Sequence, residues 1–151
     1  RTTRKSTAKL YEEGTETPIG KGIVVREGTD AVVVASGIMV HESLQAAEKL
    51  AAEGISIAVI DMFTVKPLDE ELLIAYAKKT GAVVTAENHN RIGGLHSAVA
   101  ECLMASCLVP LEYVAVEDEF GEVGPQSYLQ ERFGLTAEHV AQKVRAAIAR
   151  K

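Results

Sequence analysis

Apolar residues fall in short dense runs along this chain, and between those runs they recur at helical spacing. Ala31-Val32-Val33-Val34-Ala35 is apolar at every position, the pattern of a parallel strand covered on both faces, and Ser36-Gly37 ends it. Val40, Leu44, Ala47 and Ala51 then share one stripe while Glu42, Gln45, Glu48 and Lys49 largely face away, which predicts a helix over about 40–53 stopped by Gly54. The unit recurs. Residues 55–60 read as a second buried strand, Asp69 as the N-cap of a helix carrying Leu72, Leu73, Tyr76 and Ala77, and Gly81 as its end. Residues 82–86 form a third strand, followed by a glycine-containing loop and a helix with Leu95, Val99, Cys102 and Leu103 inward; residues 113–116 form a fourth. Two helices close the chain. One spans about 126–133 and ends at Gly134; the other is capped by Thr136 and turns Val140, Val144, Ala147 and Ile148 inward. Upstream, residues 23–26 and 31–35 flank Glu27-Gly28-Thr29-Asp30, a composition that suits an edge hairpin. Strands alternating with helices predict a three-layer α/β fold: a doubly wound, mainly parallel five-stranded sheet with one edge hairpin strand.

Composition narrows the class without naming an activity. With 151 residues, 47% of them hydrophobic, the chain suits one domain with its own core. A net charge of −5 argues against nucleic acid and anionic membrane as partners, because both require a basic face. No apolar run approaches the roughly 18 residues of a membrane span, and Arg1-Thr2-Thr3-Arg4-Lys5 has no apolar segment behind it, so a cytoplasmic protein is expected. Cys102 and Cys107 lie five apart on one helix and point in different directions, which predicts reduced thiols. Residues 1–21 are polar, with only Leu10, Tyr11 and Ile19 as scattered apolar positions, and no Met begins the chain. They read as a connector leading from something longer.

In sheets of this kind a ligand sits beyond the carboxyl ends of the strands, which selects Ser36-Gly37, Asp61-Met62-Phe63, Glu87-Asn88-His89 and Glu117-Asp118-Glu119. Gly37 stands without a GxGxxG, so a dinucleotide site is not indicated. Ser36, His89 and Asp61 would make a hydrolytic triad, but no G-x-S-x-G elbow surrounds the serine. Glu87, His89 and His96 could be drawn as zinc ligands, at a spacing that matches no common zinc pattern. Two readings of the segment 87–94 stay open. Gly93-Gly94 at a helix start beside Arg91 could hold an anion on free N–H groups. Alternatively, Glu87 and His89 fix the loop or a subunit contact while the glycines permit a sharp turn. Asp61 reads as a loop or cap residue, and the acidic run with Glu122 as a solvated loop.

Four blocks carry a family resemblance: 31–37, 60–69 with Phe63-Thr64-Val65-Lys66-Pro67-Leu68-Asp69, 85–99 with Glu87-Asn88-His89 and Gly93-Gly94, and Phe120-Gly121-Glu122 with Arg132-Phe133-Gly134-Leu135-Thr136. Together they resemble the C-terminal domain of transketolase and its thiamine-diphosphate-dependent relatives. The resemblance implies that residues 1–21 are the connector from a missing pyrimidine-binding domain and 22–151 the transketolase C-terminal domain. It implies an enzyme of the pentose phosphate pathway that moves a two-carbon ketol unit between sugar phosphates, as a homodimer. Thiamine diphosphate and Mg²⁺ would be held by the remaining domains or by a separate N-terminal subunit, so this chain alone would bind no cofactor and be inactive. Thr3-Arg4 is similar to the family's Ser/Thr-Arg pair, whose arginine contacts the sugar-phosphate substrate, which gives Arg4 that role; a forked guanidinium suits phosphate oxygens. The equivalent domain of 1-deoxyxylulose-5-phosphate synthase shares the Lys66-Pro67-Leu68-Asp69 and Gly93-Gly94 blocks, and the β subunit of a 2-oxo-acid dehydrogenase is a further relative. An anion- or effector-binding module is the alternative from another class.

Overall fold

The computed structural model describes residues 7–151. Its elements run β1 (Ile23–Arg26), β2 (Ala31–Ala35), α1 (Ile38–Ala52), β3 (Ile57–Asp61), α2 (Glu70–Thr80), β4 (Val83–Asn90), α3 (Leu95–Ser106), β5 (Leu111–Val116), α4 (Gln126–Arg132) and α5 (Ala137–Ile148). The sheet order is β1-β3-β2-β4-β5, with β2 through β5 parallel and β1 antiparallel on the β3 edge. This is the mainly parallel five-stranded α/β fold expected.

The all-apolar central strands are explained by their two covered faces. Ala31, Val33 and Ala35 join α1 and α5 in one core, through Met39, Val40, Leu50, Val140 and Val144. Val32 and Val34 point the opposite way, into a second core with Leu73 and Ala77 of α2 and Leu95, Val99 and Leu103 of α3. The end signals also hold. Asp69 accepts the Leu72 N–H at 3.2 Å, and Gly81 ends α2 in the left-handed conformation at φ 69°. Thr136 accepts the His139 N–H at 3.5 Å. Both cysteines are free, Cys102 in the second core. Among the described residues no helix is long and apolar enough to cross a membrane.

Two local expectations are corrected. The antiparallel edge strand exists, but it is not a hairpin with β2: Ile23 lies opposite Asp61 and Val24 opposite Ile60, both in β3. The link 27–30 passes the start of β3 on its way to β2, and it is tied there. Thr29 and Asp30 donate their N–H groups to the Ser56 carbonyl at 3.0 and 2.7 Å, and the Asp30 carboxylate accepts the Ser56 N–H at 2.7 Å. Gly28 lies so close to the Ile57 carbonyl carbon that a Cβ would overlap it. A residue set suited to a tight turn therefore serves a close crossing. The second correction concerns β4, which continues to Asn90 rather than stopping at Ala86, so Glu87 and His89 belong to a strand. Its pairing with β5 breaks register between Ala86 and Asn90, where Asn90 meets Val116.

Candidate functional site at the carboxyl edge of the sheet

The sharp passage from β4 into α3 is built around Glu87. Its carboxylate, 3% exposed, accepts the Leu95 N–H and the His96 N–H, both at 2.8 Å. These are two of the donors that a helix start leaves without an intrahelical partner. Gly94 packs against this carboxylate so tightly that a Cβ would overlap Glu87 Oε2, while Gly93 turns the chain at φ 76°. Other N–H groups of the turn are also engaged. Gly93 donates to Ser97 Oγ at 2.9 Å, Ile92 to Asn90 Oδ1 at 2.8 Å, and Arg91 to the Val116 carbonyl at 3.0 Å. The anion at this helix start is the chain's own carboxylate. Burial pushes the Glu87 carboxyl above the usual range, with the two backbone N–H bonds acting in the opposite direction.

Around it sits a polar lattice. Arg91 places Nε 3.3 Å from Glu117 and its guanidinium 5.1 Å over the Tyr113 ring, while the Tyr113 hydroxyl donates to Glu117 at 2.9 Å. His96 Nδ1 lies 3.1 Å from Thr85 Oγ1; burial, then the neighbouring Arg91 charge, holds its imidazole below the usual range. His89 is exposed, its Nδ1 3.4 Å from the Asn90 carbonyl. The three groups drawn as zinc ligands thus have separate occupations, and among the described residues no three His, Cys, Asp or Glu are placed to hold a metal ion. The acidic run is exposed as expected, but it is also clamped. Arg132 binds Glu119 at 2.9 Å and Glu122 at 2.7 Å, and Asn90 donates to Asp118 at 3.2 Å.

A second acid stands at the end of β3. Asp61 is 6% exposed, and its Oδ2 accepts the Tyr11 hydroxyl at 2.7 Å, while Oδ1 has no hydrogen-bond partner among the described residues. Burial raises the Asp61 carboxyl, opposed by the Tyr11 bond, and burial raises the Tyr11 phenol. Asp61 and His89 each bond elsewhere than to Ser36, so no triad is assembled. Arg4 lies outside the described residues. The reading in which Glu87 fixes the loop did not specify a cap on α3, and neither the Arg132 clamp nor the Tyr11–Asp61 bond was legible in the sequence. The last joins residues 50 positions apart, and no local pattern signals such a pair.

Residues 20–140 match the family described as transketolase, C-terminal domain. The chain belongs to that family. It is 50% identical over 148 residues to a 6-deoxy-6-sulfo-D-fructose transketolase subunit of Clostridium sp. (strain MSTE9), a match covering 98% of this chain and 46% of the relative. It is 48% identical over 129 residues to a 1-deoxy-D-xylulose-5-phosphate synthase of Syntrophotalea carbinolica, covering 85% of this chain and 20% of the relative. A solved structure titled as a split-gene transketolase, inactive beta4 tetramer, superposes with a TM-score of 0.94 at 46% identity, over 98% of this chain and 48% of that one. The chain thus spans about half the length of these transketolase relatives. Within the family frame, the blocks 60–69 and 85–99 are the end of β3 leading into α2 and the Glu87-capped passage from β4 into α3.

Proposed function

We propose that this chain is the C-terminal domain of a transketolase assembled from separately encoded subunits, and that the complete enzyme moves a two-carbon ketol unit between sugar phosphates. The observation that carries this reading is the match to the split-gene transketolase chain, at 46% identity over 98% of this chain. The 50% identity to a transketolase subunit supports it. A cytoplasmic setting belongs to the same reading.

The cofactors of this reading, thiamine diphosphate and Mg²⁺, do not fit the described residues. No cluster of three metal-binding side chains is present among them, and the α3 start that could face a diphosphate is filled by Glu87. The partner subunit is therefore proposed to hold them, and this chain to contribute assembly and one substrate contact. For assembly, the carboxyl edge carries Ile92 at 60% exposure on the turn between β4 and α3, and Phe120 at 97% and Val123 at 103% on the loop after β5 that Arg132 holds in place. Apolar side chains presented on a braced loop suit burial against another subunit. In this arrangement Glu87, Arg91, Gly93 and Gly94 shape the turn that presents Ile92, and His89 is the exposed polar group beside it.

For the substrate contact, Arg4 is proposed to bind a sugar-phosphate oxygen pair. Arg4→Ala in the complete enzyme is expected to weaken phosphorylated substrates by roughly 2–4 kcal/mol, the range for removing one partner of a desolvated charged pair. An equal loss with an unphosphorylated ketose contradicts that role.

The deciding experiment is a coupled assay on the complete protein with thiamine diphosphate and Mg²⁺. Ketol transfer from xylulose 5-phosphate or 6-deoxy-6-sulfo-D-fructose to an aldose acceptor is the expected result. The 48% identity to a 1-deoxy-D-xylulose-5-phosphate synthase supports a second reading. Silence with those donors, together with condensation of pyruvate and glyceraldehyde 3-phosphate, moves the assignment there.

A further inference from the structure

Helix α3 lacks the charged outer surface that the other long helices turn to water. Its 12 residues carry one charged side chain, Glu101, and no Lys or Arg, whereas α1, α2 and α5 carry three or four charges each. Leu95, Val99, Cys102 and Leu103 make up its buried side. The helical period leaves Ser97, Ala98, Glu101, Met104 and Ala105 on the opposite arc, with Met104 74% exposed and Leu108, just past the helix, 79%. A helix that is apolar on both sides is ordinarily covered on both.

Beside that arc lies a groove of about 860 Å³, with Ala98 and Ala105 of α3 on one wall and Val65, Pro67, Leu68 and Ile74 on the other. Three charges line it: Lys66, Glu70 and Glu101. None of them forms an ion pair among the described residues, whereas Arg91, Arg132, Lys143 and Arg145 all do. Glu70 stands in the first turn of α2, where the helix dipole favours it. Lys66 and Glu101 have no such account. This face is complementary to itself. An α3 from a second copy, lying antiparallel in the groove, sets its small side chains against α3 and its single acid against Lys66, and a twofold axis makes the reverse contacts at the same time. Met104 and Leu108 at the end of one helix then cover the Gly94 and Ala98 end of the other. Any other occupant would have to bring both a base for Glu101 and an acid for Lys66; a second copy brings both.

We propose that the α3 groove is an interface between two copies of this chain, arranged antiparallel about a twofold axis and held in register by reciprocal Lys66–Glu101 ion pairs. The inference deepens the assembly role proposed above, on which it rests, and it does not depend on which reaction the complete enzyme performs.

The test reverses the charges in the complete protein. A dimer of Lys66→Glu copies sets acid against acid at both pairs, and a dimer of Glu101→Lys copies sets base against base; a mixed dimer of the two variants restores both pairs. Both side chains are exposed and unpaired within one copy, so neither reversal is expected to unfold it. The two variants are co-expressed, one with a mass tag, and counted by native mass spectrometry. The ratio of mixed to like dimers is expected to rise about ten-fold over that of tagged and untagged wild type. An ion pair inside one copy cannot favour mixed dimers, so this readout isolates contact between copies. A ratio equal to that of wild type overturns the interface, as does a wild-type protein that contains a single copy of the chain. Loss of the cofactor-holding subunit from either variant, with the ratio unmoved, overturns it too and gives the groove to that subunit. Ketol transfer by the wild-type protein bears on the proposed reaction alone: a raised ratio without transfer keeps the interface and removes that reaction, and transfer with an unmoved ratio does the reverse.

Discussion

Glu87 and Asp61 are both acids buried near the carboxyl ends of parallel strands, 3% and 6% exposed, and burial raises both carboxyls. Their surroundings differ. Glu87 receives two N–H bonds from the first turn of α3, where the helix dipole also favours negative charge. Asp61 receives one bond from a tyrosine outside the sheet and keeps an oxygen without a partner among the described residues. The comparison separates an acid that the fold uses from an acid that the fold tolerates. Glu87 completes a helix start and belongs to the stability of the domain. Asp61 contributes little to that stability.

The largest expected effect falls on the satisfied acid. Glu87→Ala leaves two buried N–H groups unpaired and opens a cavity, and chemical denaturation should show a loss of about 2–4 kcal/mol. A loss well under about 1 kcal/mol would mean that water replaces the carboxylate freely, and the contrast with Asp61 would collapse. Gly94→Ala comes next. Its φ of −96° suits any residue, but the added Cβ meets the Glu87 carboxylate, and about 1–3 kcal/mol should be lost as the cap is pushed aside.

Asp61→Asn should change stability by no more than about 1 kcal/mol at neutral pH, and its pH dependence is the sharper reading. The folded carboxyl titrates above its unfolded value. Its contribution is therefore fully present below the unfolded pKa and is lost as pH rises through the folded pKa. Melting curves should show wild type losing ground to Asp61→Asn from about pH 4 upward. The opposite slope would show Asp61 to be stabilised as an anion. The smallest effect is expected for Arg91→Ala. Its partner Glu117 is 55% exposed, and such a pair contributes about 0–1 kcal/mol.

Much of this molecule was legible from the chain, because several of its signals are local. Asp69, Gly81, Gly134 and Thr136 bound their helices through groups within four residues, and a short β-branched run such as 31–35 between turn residues has the pattern of a strand covered twice. The edge strand's partner was not legible. Glu27-Gly28-Thr29-Asp30 has the composition of a turn whether it folds back beside β2 or passes the start of β3, and only contacts with Ser56 and Ile57 decide between them. The site divided in the same way. Gly93-Gly94 announced a sharp turn, but an unfilled helix start and one filled by an acid eight positions upstream read alike in sequence. The lattice that binds Arg91 to Glu117 and Arg132 to Glu119 likewise joins separate elements and left no periodic trace.

The passage of residues 27–30 past β3 has a consequence for anyone trimming the gene. β1 covers the outer edge of β3, pairing through Ile23, Val24 and Arg26, and β3 is otherwise an apolar ribbon with unpaired amides on that side. A fragment begun at Asp30 would keep every helix and all four parallel strands yet expose that ribbon as a template for neighbouring molecules, and it is expected to aggregate. The workable boundary lies ahead of Gly22.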